Sequence, residues 1–101
     1  MSEGAEFMEV ICEKGVLTFD GRVVEVFGFG RQDFSVRVHV ARLEKIEVHE
    51  GGRFSNPFVN FKQRGMKIDG FAELTEEEAG GPELAALINA VQDATPNPEG
   101  G

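Results

Sequence analysis

Gly15-Val16-Leu17-Thr18-Phe19-Asp20-Gly21-Arg22-Val23-Val24-Glu25-Val26 is the stretch whose reading decides the fold. Two β-rich runs flank an Asp-Gly pair, the strongest short-range hairpin signal in a sequence. A two-residue type I′ turn needs positive φ at both central residues, which Asp and Gly tolerate. That turn predicts Phe19 opposite Arg22, Thr18 opposite Val23, Leu17 opposite Val24 and Gly15 opposite Val26. Leu17, Phe19, Val24 and Val26 then share one face, the candidate core face. Val16, Thr18, Val23, Glu25 and Phe27 share the other, more mixed face.

Working outward, Phe7 to Cys12 is β-rich and leads into the hairpin, with Gly15 read as a bulge or bend. Arg22 to about Phe27 is the return arm, and Gly28 to Asp33 reads as a loop. Phe34, Val36, Val38 and Val40 alternate with Ser35, Arg37 and His39, which predicts a half-buried strand. A turn or single helical turn is expected at Arg42 to Lys45, then a strand from Ile46 to His49 with Ile46 and Val48 inward. Glu50 to Pro57 is turn-rich. Phe58 to Lys62 is a strand with Val59 and Phe61 inward. Gln63-Arg64-Gly65 is a tight turn into a strand or strand pair over Met66 to Glu73, bent at Gly70.

Thr75 to Glu78 has the capping-box pattern. Pro82 suits a first helical position. Beyond it, Leu84, Leu87, Ile88 and Val91 fall on one stripe of a helix of about three turns. Residues 1–6 and 95–101 read as disordered ends around a domain at 7–94. The expectation is a mainly β fold of six or seven strands, an antiparallel barrel or sandwich closed by the C-terminal helix.

The chain has 101 residues, enough for one core. Nine Phe, with no Trp or Tyr, supply the aromatics. One cysteine, Cys12, excludes an intramolecular disulfide and suits a reducing compartment. With no recognisable signal peptide and no apolar run near the roughly 20 residues of a membrane helix, a cytoplasmic location is the expectation. The net charge of −8 is unevenly placed. Residues 73–101 hold seven acids and no Lys or Arg, whereas residues 1–72 hold eleven acids against ten bases. A nearly neutral body lacks the basic footprint of a nucleic-acid binder.

On Gly15 to Val26, on the strand-turn-strand Val38 to Val48 and on the final helix, the chain resembles the bacterial pleckstrin-homology-like domains over about residues 8–93. The resemblance implies a seven-stranded, two-sheet antiparallel barrel with a C-terminal capping helix. In eukaryotic pleckstrin-homology domains a long basic loop joins the first two strands and holds phosphoinositides. Here the best-marked hairpin offers only Asp20-Gly21 beside Arg22.

Cys12, His39 and His49 stand in no catalytic or metal-binding spacing, so neither an enzyme nor a cofactor or metal site is expected. Gly28-Phe29-Gly30 lacks the Lys-Ser/Thr of a phosphate loop. Arg53, Lys62, Arg64 and Lys67 are four bases within fifteen residues, a candidate anionic-ligand patch or a solvated turn. Phe27, Phe29, Phe54 and Phe58 lie near loops, as protein anchors or as core filling. Three functions follow as expectations. The first is a non-catalytic binding or scaffolding module that engages protein or itself. The second is a peripheral membrane module using the basic 53–67 region. The third is a small-molecule carrier with Arg37, His39 and His49 as its polar groups.

Overall fold

A computed structural model describes residues 7–29 and 35–95. Seven strands form two antiparallel sheets. β1 (Met8–Ile11), β2 (Val16–Phe19), β3 (Val23–Phe27) and β4 (Ser35–His39) make a four-stranded sheet in chain order. A short 3-10 turn at Val40–Arg42 leads to the second sheet, of β5 (Leu43–His49), β6 (Phe58–Gln63) and β7 (Gly70–Glu73). Two helices follow, α1 (Glu76–Ala79) and α2 (Pro82–Ala94). The fold is thus mainly β with a C-terminal helix, and among the described residues the sheets are not joined into a closed barrel. No helix of the described residues is long and apolar enough to cross a membrane.

The opening hairpin is present, two residues out of the expected register. Phe19 pairs with Val24, Leu17 with Val26 and Val16 with Phe27. Asp20 does not take the positive φ of a type I′ turn; Gly21 does, at 100°. The Asp20 carboxylate instead accepts the N–H groups of Arg22 at 2.9 Å and Val23 at 2.8 Å. That moves the turn centre one residue on. A slip of one residue would have exchanged the faces, but a slip of two preserves them. Leu17, Phe19, Val24 and Val26 are all buried, as the alternation predicts.

Gly15 closes a tight turn rather than a bulge. Its carbonyl accepts from the Cys12 N–H at 2.8 Å. The Phe29 ring lies against it: a β-carbon there would sit 2.7 Å from that ring. The core runs between the sheets and under α2, whose Leu84, Leu87 and Val91 are buried and whose Ile88 is partly so. Gly70 sets the approach of the sheets, because a β-carbon there would lie 3.0 Å from Val26 and 3.3 Å from Val38.

Thr75 and Glu78 form the expected capping box, at 3.1 and 2.9 Å. The second Glu78 oxygen accepts the Glu13 N–H at 2.6 Å and ties α1 to the β1–β2 turn. Four further expectations shift. The helical turn lies at Val40–Arg42 rather than Arg42 to Lys45, so β5 starts at Leu43 rather than Ile46. β7 begins at Gly70, leaving Arg64 to Asp69 as a loop. Val48 is half exposed, because β5 is an edge strand whose end runs past the core. Thr95 is the C-cap of α2, its hydroxyl donating to the Val91 carbonyl at 2.6 Å. The tails 1–6 and 96–101, most of the loop at 28–33 and Phe34 lie outside the described residues.

Candidate binding face

The strand period of two sorts the three-stranded sheet. In β6, Val59, Phe61 and Gln63 are buried, so Phe58, Asn60 and Lys62 face away from the core. In β7, Gly70 and Ala72 are buried and Phe71 and Glu73 face away. Cross-strand pairing places His49 beside Phe58, Glu47 beside Asn60 and Lys45 beside Lys62. The outer face therefore carries an aromatic half and a charged half.

The aromatic half is a stack. The His49 and Phe58 rings are 5.0 Å apart and 12° from parallel, and Phe58 and Phe71 are 5.0 Å apart and tilted by 39°. These are favoured aromatic spacings. Phe71 is 49% exposed, and Phe54 in the β5–β6 loop is 94% exposed at the same end of the sheet. Each ring of the stack is carried on a strand, His49 on β5, Phe58 on β6 and Phe71 on β7.

Fixed carboxylates border the rings. Glu47 accepts from the Asn60 amide at 3.0 Å and pairs with Lys45 at 3.3 Å. These contacts, the Asn60 hydrogen bond foremost, hold its carboxyl below the usual range. Glu73 accepts from the Asn56 amide and pairs with Lys14 at 3.2 Å, and is lowered likewise, with Asn56 the leading cause. An apolar centre with a charged rim is the layout of a protein interface.

The basic patch divides. Lys62, Arg64 and Lys67 lie at the β6–β7 end of the sheet, and Arg53 lies in the β5–β6 loop at the other end. The six residues of β6, about 20 Å of strand, separate them. The structure puts two other bases with the first three. Lys45 pairs across the strand with Lys62, and the Arg42 carbonyl accepts the Arg64 N–H at 2.8 Å. In the loop beyond Arg64, Met66 is 49% exposed and Ile68 is 55% exposed.

The loop aromatics divide as well. Phe54 and Phe58 share the aromatic end just described. Phe27 is exposed on the outer face of the four-stranded sheet, in a row with Ile11 and Val16. Phe29 is a core residue packed on Gly15, which removes it from the candidate contacts. His49, singled out from sequence only as a titratable or polar group, and Phe71, not singled out, complete the face. Phe71 was legible in principle, because Gly70, Ala72 and Leu74 turned inward force it outward.

Arg37, His39 and His49 do not converge. Arg37 and His39 are exposed on β4 and His49 on β5, in different sheets. Arg37 reaches Glu25 at 3.7 Å, and His39 Nδ1 accepts the Ala41 N–H at 3.0 Å. Burial, with a smaller contribution from Glu78, pushes the Cys12 thiol up to about 11, so it stays protonated at neutral pH and is a poor nucleophile. Among the described residues no group of three or more His, Cys, Asp or Glu is placed to hold a metal ion. Compared with protein-family models, curated proteins and solved structures, the chain matches none.

Proposed function

We propose that this chain is a non-catalytic binding module of pleckstrin-homology-like type that engages a protein through the outer face of its three-stranded sheet. The observation that carries the reading is the His49–Phe58–Phe71 stack, not covered by any of the described residues, while Val59, Phe61 and Ala72 on the other face of the sheet are fully buried. Three rings on adjacent strands are costly to leave in water and are the residue type that anchors interfaces. The four-plus-three strand arrangement with a C-terminal helix supports the resemblance on which the family reading rests. The protonated, buried Cys12 and the scattered histidines support a role without catalysis.

The test is site-specific cross-linking in the native host. A photoreactive phenylalanine analogue at position 71 is expected to give a discrete protein adduct. The same analogue at position 37, on the outer face of the other sheet, gives none. Phe58→Ser in the same chain abolishes the adduct at position 71. Equal adducts from both positions, or an adduct that survives Phe58→Ser, overturns the reading.

A further inference from the structure

We infer that this chain self-associates head to tail, the β6–β7 loop of one copy seating in a groove between β1 and α2 of the next. The inference rests on the reading of the chain as a binding module but uses surfaces other than the aromatic stack.

The loop is a shaped finger. Its sequence, Arg64-Gly65-Met66-Lys67-Ile68, places two exposed apolar side chains among bases. Arg42, Lys45 and Lys62 add positive charge at its base. Gln63, a buried polar residue, donates its side-chain amide to the Ile68 carbonyl at 2.8 Å, and its backbone N–H donates to Asp69 at 3.1 Å. Gly65 takes a φ of 72°. A buried amide that holds the loop's backbone presents the tip in one shape.

The groove is the complement. Glu9, Val10, Ile11, Glu78, Glu83 and Leu84 line it; Val10 and Leu84 are buried, so Ile11, 74% exposed, is its accessible apolar side chain among acids. Its volume is about 290 Å³, just below the range of about 300–1,000 Å³ for small-molecule pockets. That suits one or two side chains. An apolar pair among bases fits an exposed isoleucine among acids, with both charge and hydrophobicity matched.

Finger and groove of one copy lie at different ends of β7. The finger precedes β7, and Glu78 lies beyond its far end, with the four residues of β7, about 13 Å, between them. The contact is therefore heterologous and repeats unless it closes into a ring. A second copy is the favoured occupant because its own groove sets the carboxylates of Glu9 and Glu83 beside an exposed apolar side chain, the complement of the finger.

The test uses the full chain with two variants. The finger variant is Met66→Ser with Lys67→Gln, and the groove variant is Glu9→Gln with Glu83→Gln. By light scattering at low salt, the wild type is expected to gain mass beyond a dimer as concentration rises. Each variant alone stays monomeric, and an equal mixture recovers a one-to-one complex that grows no further. Raising salt from about 0.1 M to about 1 M weakens the association several-fold. Phe71→Ser leaves it unchanged, which separates this contact from the aromatic face. A wild type that is monomeric throughout overturns the inference, as does a mixture that fails to pair. So does association lost in Phe71→Ser and kept in the finger variant. Finger-dependent co-sedimentation with phosphatidylserine vesicles, by a chain that does not self-associate, assigns the finger to a membrane instead.

Discussion

Both sheets bury one face in the same core, yet what they leave outside differs in kind. The four-stranded sheet shows water Thr18, Glu25, Arg37 and His39 across its middle, with the Ile11–Val16–Phe27 row at one end. Its other face is covered by α2 and β7. The three-stranded sheet shows water a stacked aromatic trio set inside fixed ion pairs. Polar rows keep a sheet soluble and need no further role. Stacked rings bordered by paired carboxylates do not improve solubility, and they are the observation on which the proposed binding role rests. Both sheets build the core with their inner faces, and the proposed role rests on the outer face of the second.

That contrast can be broken by substitutions that separate sealing from display. A large effect is expected at the seal. Leu87→Ala removes a fully buried side chain of α2 and should cost about 2–5 kcal/mol in urea unfolding. A smaller loss would mean that α2 rests loosely on the four-stranded sheet. Gly70→Ala comes next. The added methyl meets Val26 and Val38 where the sheets approach, and overpacking of this kind costs about 1–3 kcal/mol. Thermal denaturation should show no loss only if the sheets can part by a few tenths of an ångström.

Glu78→Ala removes one half of the capping box and the tie to Glu13, and should cost about 1 kcal/mol. A further effect appears only at alkaline pH. The folded Cys12 pKa is raised from 9 to about 11, so the unfolded chain loses its thiol proton first. The stability this contributes is present below pH 9 and falls as pH rises towards 11. Unfolding at a series of pH values should show the wild type losing stability across that window relative to Cys12→Ala. Parallel curves would place the thiol in water.

The four-stranded sheet was also the more legible one. Alternation in Val36, Val38 and Val40, the stripe on α2 and the Thr75–Glu78 cap each follow from local periods that tertiary packing left intact. The hairpin faces were readable although its register was not. The Asp20 side chain competed for the turn's N–H groups, and only a two-residue slip kept the core face inward. The second sheet was harder to read. Its edge position exposes Val48 despite the alternation, and the register shift between Leu43 and Lys45 interrupts the pattern. Arg53 and Lys62 are close in sequence but stand at opposite ends of a strand. Phe29 packs on Gly15 across two turns, a contact that no local pattern encodes.

The central claim is that the two faces of the three-stranded sheet have different tasks. Urea unfolding of Phe61→Ala and Phe71→Ala, side by side, tests it most directly. Phe61 is fully buried and Phe71 is 49% exposed on the neighbouring strand. The account predicts a loss of about 3–5 kcal/mol for the first and about 0.5 kcal/mol or less for the second. Comparable losses would contradict it, because the stacked face would then be part of what holds the chain folded.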